Sequence, residues 1–357
     1  MYILLAILLL AILIVVHEGG HFWAARATGI QVSEFSVGFG PKLIGWKSRK
    51  YETTFAIRAV PLGGYCAFYG EDDTTGVSKD DPRCFARQKL WKRMLTILMG
   101  PGMNFILAFA VALGFYWISG VTVATGVDPY IAEVMAAGPA YSAGLQNGDR
   151  ITEINGKNML DGTMETLLDS ISGWREDDGP MELTVQRGEE TLHMSLTPVW
   201  DEQEQKMRIG VMIGGVYRTE QQTVGFAGAA QSAWNLCVNA SGAILTSLRD
   251  LVTKGEGLDQ TAGPVGIVSM VSSEVREGGF SAFVQLLALI SINLGLMNLL
   301  PIPGLDGSRL VFCLLELVRR KPIPPEKEAM VHLAGMVLLF GVLIFFTFKD
   351  VMRLFGR

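Results

Sequence analysis

Four stretches of the chain, residues 2–16, 94–127, 278–305 and 329–348, contain no Asp, Glu, Lys or Arg. Each is apolar enough to form all or part of a helix that crosses a bilayer. The pattern predicts a polytopic α-helical membrane protein with about four transmembrane helices: 1–27, 93–120, a region within 278–318, and 329–348. A fifth charge-free run, 221–248, is diluted by Gln221, Gln222, Gln231, Ser232, Asn235, Asn239 and Ser241. That polar share fits an amphipathic helix lying at the interface, expected over 221–252. The first stretch is read as a retained span and not as a signal peptide, because it lacks a basic n-region and runs straight into His17 and Glu18.

Between the second and third spans the pattern shortens to alternation. Glu182–Val185 and Leu192–Leu196 flank the turn residues Arg187, Gly188 and Glu189, which predicts a small β-rich domain over roughly 127–217. Its stretch GPAYSAGLQNGDRITEING at 138–156 resembles the bacterial type of PDZ domain. The resemblance implies a fold that accepts an extended peptide, or part of a substrate ectodomain, along a sheet edge. A second β-prone segment, 28–92, follows the first span and is punctuated by Gly38, Gly40 and Pro41, then by Pro61–Tyr65. Strand-like backbone near membrane depth must be satisfied by protein or water. The segment is therefore expected to be membrane-associated and to line a cavity, with Gly63 and Gly64 among the substrate contacts.

Composition agrees with the hydropathy: 49% hydrophobic against 18% charged residues is not the balance of an ordinary soluble domain. Net charge adds orientation. Residues 22–93 carry 12 Lys/Arg against 7 Asp/Glu, whereas 121–280 carry 10 against 22. The positive-inside rule then puts the first segment, and the basic loop with Arg319, Arg320, Lys321 and Lys327, in the cytoplasm. The PDZ-like insert becomes extracytoplasmic, with both termini outside. Cys66, Cys84, Cys237 and Cys313 are scattered without CxxC spacing and read as packing residues. Lipids and membrane proteins are the expected partners; nucleic acid is not.

The first span ends in HEGGH at 17–21, an HExxH motif. On a helix His17 and His21 share one face, so both imidazoles can reach one zinc ion, with Glu18 beside it as general base. Fifteen apolar residues before the motif place it about 22 Å into a core of about 30 Å. Ionisable residues at that depth are functional by default. Hydrolytic zinc usually has three protein ligands. The remaining histidines, His193 in the β domain and His332 in the fourth span, stand alone in sequence. Asp306 in NLLPIPGLDG at 298–307 is the better third ligand, because Pro301 and Pro303 break the third span and project a carboxylate at membrane depth.

With these motifs the chain resembles the site-2 protease family of intramembrane zinc metalloproteases, and in particular the bacterial members that cleave anti-sigma factors in regulated intramembrane proteolysis. HEGGH, GPGMN at 100–104, the single PDZ-like domain, GPVG at 263–266 and NLLPIPGLDG carry the resemblance over nearly the whole chain. It implies that His17, His21 and Asp306 hold Zn2+, that Glu18 is catalytic, and that Asn298 and Asn104 hold substrate or orient the site. The expected substrate is a single-pass membrane protein, such as a pre-cleaved anti-sigma factor or a remnant signal peptide. The expected location is the bacterial inner membrane, with the active site near its cytoplasmic face. Ser308 stands where the family usually has a second glycine. Gly19 and Gly20 are expected to allow close backbone approach. A catalytically silent PDZ adaptor would need vestigial zinc residues, and a zinc transporter would spread polar residues over several spans.

Overall fold

The computed structural model describes residues 1–71, 81–136, 138–175, 178–202, 205–255, 257, 263–321 and 323–355. The chain divides into two compact units, a helical one built from 1–118 and 225–357 and an inserted one from 119–224.

Among the described residues of the helical unit, four helices are long and apolar enough to cross a membrane. They belong to α1 (Tyr2–Thr28), α2 (Leu90–Ser119), α6 (Pro264–Leu299) and α8 (Pro325–Phe355). Buried residues of α1 recur at Ala6, Leu9, Leu13, His17, His21, Ala24 and Thr28, a three-or-four spacing that makes one seam. The apolar half of that seam packs with Val271, Val275 and Leu287 of α6. The helix stops at Gly29, whose left-handed φ of 82° closes the last turn onto Ala25 and Arg26.

Two further helices complete the unit. α5 (Phe226–Lys254) is not one of the four span candidates, and of its residues only Ala229 and Ala233 are buried. The third apolar block proves to be the second half of a longer element. α6 runs back to Pro264, but Gly279, at φ 62° and ψ −145°, is non-helical and divides it. The chain then leaves the helix at Leu300, held extended by Pro301, and restarts as α7 (Asp306–Arg319).

Between α1 and α2 lie two long antiparallel strands, β1 (Val32–Lys47) and β2 (Thr54–Phe68). Both bend, so the sheet has four rows. Residues 34–37 pair with 64–67 on one side and with 54–57 on the other, and 54–57 pair again with 44–47. The two outer rows are therefore 64–68 and 42–47. The inner face packs Phe22, Ile30, Val32, Cys66, Phe68 and Phe85 into one apolar cluster.

The inserted unit is a β-sheet with short helices. β3 (Val121–Val134), β4 (Arg150–Ile154), β6 (Met181–Arg187), β7 (Glu190–Leu196) and β10 (Val211–Gln222) are ordered β10-β3-β4-β6-β7, with β5 (Lys157–Asn158) on β4 and a separate hairpin of β8 (Val199–Asp201) and β9 (Lys206–Arg208). β6 and β7 form a hairpin closed at Arg187↔Glu190. β10 is an edge strand whose other side pairs with β3 from Val211↔Val134 to Gln222↔Val121. The strands thus reach beyond the expected 127–217. The core comprises Ile131, Ile151, Leu167, Met181, Leu183 and Val185, with α3 (Pro139–Ser142) and α4 (Met164–Ser172) packed around it.

Candidate metal centre and active site

His17 and His21 lie one turn apart on α1, with ring centroids 4.9 Å apart and planes nearly perpendicular. Both rings aim Nε2 at the same atom: Asp306 Oδ2 is 3.1 Å from His17 Nε2 and 3.2 Å from His21 Nε2. Among the described residues these three are the one group of His, Cys, Asp and Glu whose donor atoms converge enough to hold a metal. A metal with tetrahedral ligands at about 2.0–2.1 Å sets its donors about 3.3–3.4 Å apart, so the observed spacings suit such an ion. Asp306 opens α7, where the N-terminal end of the helix dipole favours a carboxylate.

The tautomer of His21 fits the same role. Its Nδ1–H donates to the Thr96 carbonyl at 2.9 Å, which leaves the Nε2 lone pair free for a metal. α2 comes close enough to do this because of Gly100. A Cβ there would fall inside the His21 ring. Gly20 likewise admits the Met99 carbonyl of α2, whereas a Cβ on Gly19 would meet nothing within 4 Å. The expectation of close approach therefore holds for Gly20 and not for Gly19, which faces away from the seam.

Glu18 is buried between the two histidines in sequence and abuts the outer row of β2. A Cβ on Gly64 would sit 3.1 Å from Glu18 Cγ and 2.7 Å from the Ser36 carbonyl. Only glycine lets this row lie so close to Glu18. Gly63, with φ of 117°, is covered instead by the Phe39 ring.

Asn104, on α2, is wholly buried, and its Nδ2 lies 3.1 Å from His17 Nδ1. It meets the metal group directly. Asn298 is half-buried on the last turn of α6. His193, in β7, is 3.2 Å from the Thr184 hydroxyl. His332 lies 3.4 Å from the Ser308 hydroxyl and 3.7 Å from Glu328. Neither histidine joins the metal group.

Sequence reasoning missed Thr96, which acts through its backbone carbonyl and so left no trace in residue type. It also missed the ion pairs that fix α7. Arg309 reaches Glu71 at 2.5 Å, and buried Arg93 of α2 reaches Glu316 at 2.9 Å.

Residues 5–342 match the family description Peptidase family M50. The regulator of sigma-W protease RasP of Bacillus subtilis is 32% identical over 427 residues, covering 98% of each chain. The zinc metalloprotease RasP of Geobacillus kaustophilus is 31% identical over 422 residues, covering 96% of each. Among solved structures, the PDZ domain of an SdrC-like protein of Listeria monocytogenes aligns with 26% of this chain and 90% of its own, at 22% identity and a TM-score of 0.22.

Proposed function

The chain belongs to peptidase family M50 and is a zinc metalloendopeptidase, and from that premise we propose that it hydrolyses a peptide bond inside the transmembrane segment of a single-pass protein. The observation that carries this reading is the convergence of His17, His21 and Asp306 beside Glu18 on a helix of spanning length. In the proposal those three residues hold the zinc.

When bound, zinc supplies a Lewis acid that makes water a competent nucleophile and polarises the scissile carbonyl. Glu18 takes the proton from that water and returns it to the leaving amine. A substrate helix has its amides internally bonded and must unwind before attack. The outer edge of the 64–68 row, which Gly64 lets lie against Glu18, offers backbone partners to such an extended segment; the proposed contact at Gly63 requires the Phe39 ring that covers it to move aside. Asn298 is proposed to bond the same segment.

The reading includes an orientation. Charge asymmetry supports a cytoplasmic 22–93 and an extracytoplasmic 119–224 in a bacterial inner membrane. α5 is proposed to lie at the interface, since a fifth crossing would separate Asp306 from His17. In the inserted unit, α4 and residues 206–213 border a groove of about 240 Å³ lined by Met164, Leu168, Ile171, Met207, Ile209 and Ile213. It is the proposed seat for an apolar peptide beside the β10 edge.

Two experiments test the proposal. A reconstituted single-span substrate should be cut by the wild type and left intact by Glu18→Gln; cleavage at the wild-type rate by that variant would refute it. For orientation, Glu165→Cys should react with an impermeant thiol reagent added outside, and Lys89→Cys should not. Reversed labelling would overturn the placement.

A further inference from the structure

The amide of Asn104 presents a conflict. Its Oδ1 is enclosed and has no hydrogen-bond partner among the described residues, an arrangement that leaves its desolvation uncompensated. With Nδ2 facing the ring at 3.1 Å, His17 Nδ1 has to accept, which puts the imidazole proton on Nε2. Yet Nε2 is the atom directed at Asp306, and a proton there blocks its lone pair. His21 carries the opposite tautomer, set by the Thr96 carbonyl.

The two ends of an asparagine amide are alike in size, so half a turn about its last bond exchanges donor for acceptor without changing volume. The backbone of the residue is meanwhile pinned, because the Ser291 hydroxyl donates to the Asn104 carbonyl at 2.8 Å. We propose that Asn104 is a positioning residue of the metal centre: in the zinc-bound enzyme its Oδ1 accepts from His17 Nδ1–H and holds the Nε2 lone pair on the metal. The inference rests on the proposed role of His17 as a ligand. One helix, α2, then orients both imidazoles, one through a main-chain oxygen and one through a side-chain oxygen. The half-turn transfers the unpaired end of the amide to Nδ2. Asparagine is thus a compromise, and a carboxylate at the same place would accept the same bond and leave no idle donor.

That difference supplies the test. Zinc affinity of the purified full-length protein is measured by chelator competition for Asn104→Leu, Asn104→Asp and His17→Ala, with no substrate present. Loss of an outer partner of a metal-bound histidine weakens binding by about 10–100-fold, the drop expected for Leu, while Asp should stay within about threefold of the wild type. Wild-type affinity in Asn104→Leu, or an equal loss in Leu and Asp, would overturn the proposal while leaving the ligand set intact. Zinc retained by His17→Ala would overturn the ligand set itself. Should the variants fail to fold, 15N spectra of the zinc-loaded wild type decide: a protonated Nδ1 and a metal-bound Nε2 on His17 are expected, and a metal-bound Nδ1 would sink the idea.

Discussion

In the inserted unit Asp149 is the one fully enclosed polar side chain among the described residues, and the buried core cluster consists of Ile, Leu, Val, Met and Ala. In the helical unit the enclosed positions include His17, Glu18, His21, Arg93, Asn104 and Asp350, while Leu4, Leu8, Leu338 and Phe345 point outward. The solvent explains the contrast. In water each fully buried aliphatic side chain contributes about 1.5–3 kcal/mol. Lipid tails are as apolar as leucine, so that gain vanishes, and helices associate through close packing and polar contacts. The inserted unit keeps its stability in its interior, whereas the helical unit keeps its chemistry there. Substitutions in the two interiors should therefore fail in different ways.

The largest effect is expected at Glu18. Glu18→Gln should lower proteolysis by about 10²–10⁴-fold with zinc content unchanged. Metal loss in that variant would show that the interior of the helical unit does not separate binding from catalysis. Next comes Gly100→Ala, whose methyl group displaces the His21 ring. Overpacking of this kind costs about 1–3 kcal/mol, and here it should lower zinc affinity as well as the melting temperature. An unchanged zinc affinity would mean that the ring can move without consequence.

Asp149 tests the other side. Its two oxygens accept from Arg187 Nε and Nη2, both at 2.7 Å. Burial pushes this carboxyl up, but Arg187 and the Gln146 backbone N–H outweigh it and hold it below the usual carboxylate range. The contribution is thus present above the unfolded value of about 3.9 and lost as pH falls through the lower folded one. Asp149→Asn should cost about 1–3 kcal/mol at neutral pH, with Arg187 partly exposed and the lower end favoured. Proteolytic nicking should rise within 119–224, zinc affinity should stay constant, and the acid sensitivity of nicking should shrink. Zinc loss would blur the contrast between the units. The smallest effect is Gly19→Ala, which meets open space and should be neutral or stabilising by up to about 1 kcal/mol. Gly20→Ala, pressed against Met99, should destabilise; equal melting temperatures for the two would contradict the seam.

Several of these features were legible in the sequence for physical reasons. Charge-free runs mark spans because charge is costly in hydrocarbon, and the β6–β7 hairpin followed from strict alternation around a turn. The HExxH spacing fixes a shared helical face whatever surrounds it. Other features depend on a partner that sequence does not name. The segment 264–278 carries Glu274, Arg276 and Glu277, so hydropathy concealed its continuity with α6. Gly19 and Gly20 are indistinguishable until α2 is in place. The apolar run to Val127 hid only the start of β3: the second span is expected to end at 120 and α2 ends at Ser119, but the β-branched residues after Gly120 already belong to the strand.

The pairing of Val121 with Gln222 makes the insert a cassette that enters and leaves through neighbouring doors. A cut at 127 would sever β3 in mid-strand, leaving 121–126 on 218–222 and residues 211–217 of β10 without their partners. Excision at 120 and 223, closed by a short turn, removes the cassette whole. Exchange between relatives, natural or engineered, should respect those outer joints, and a graft made there can replace the insert without rewriting the helical unit.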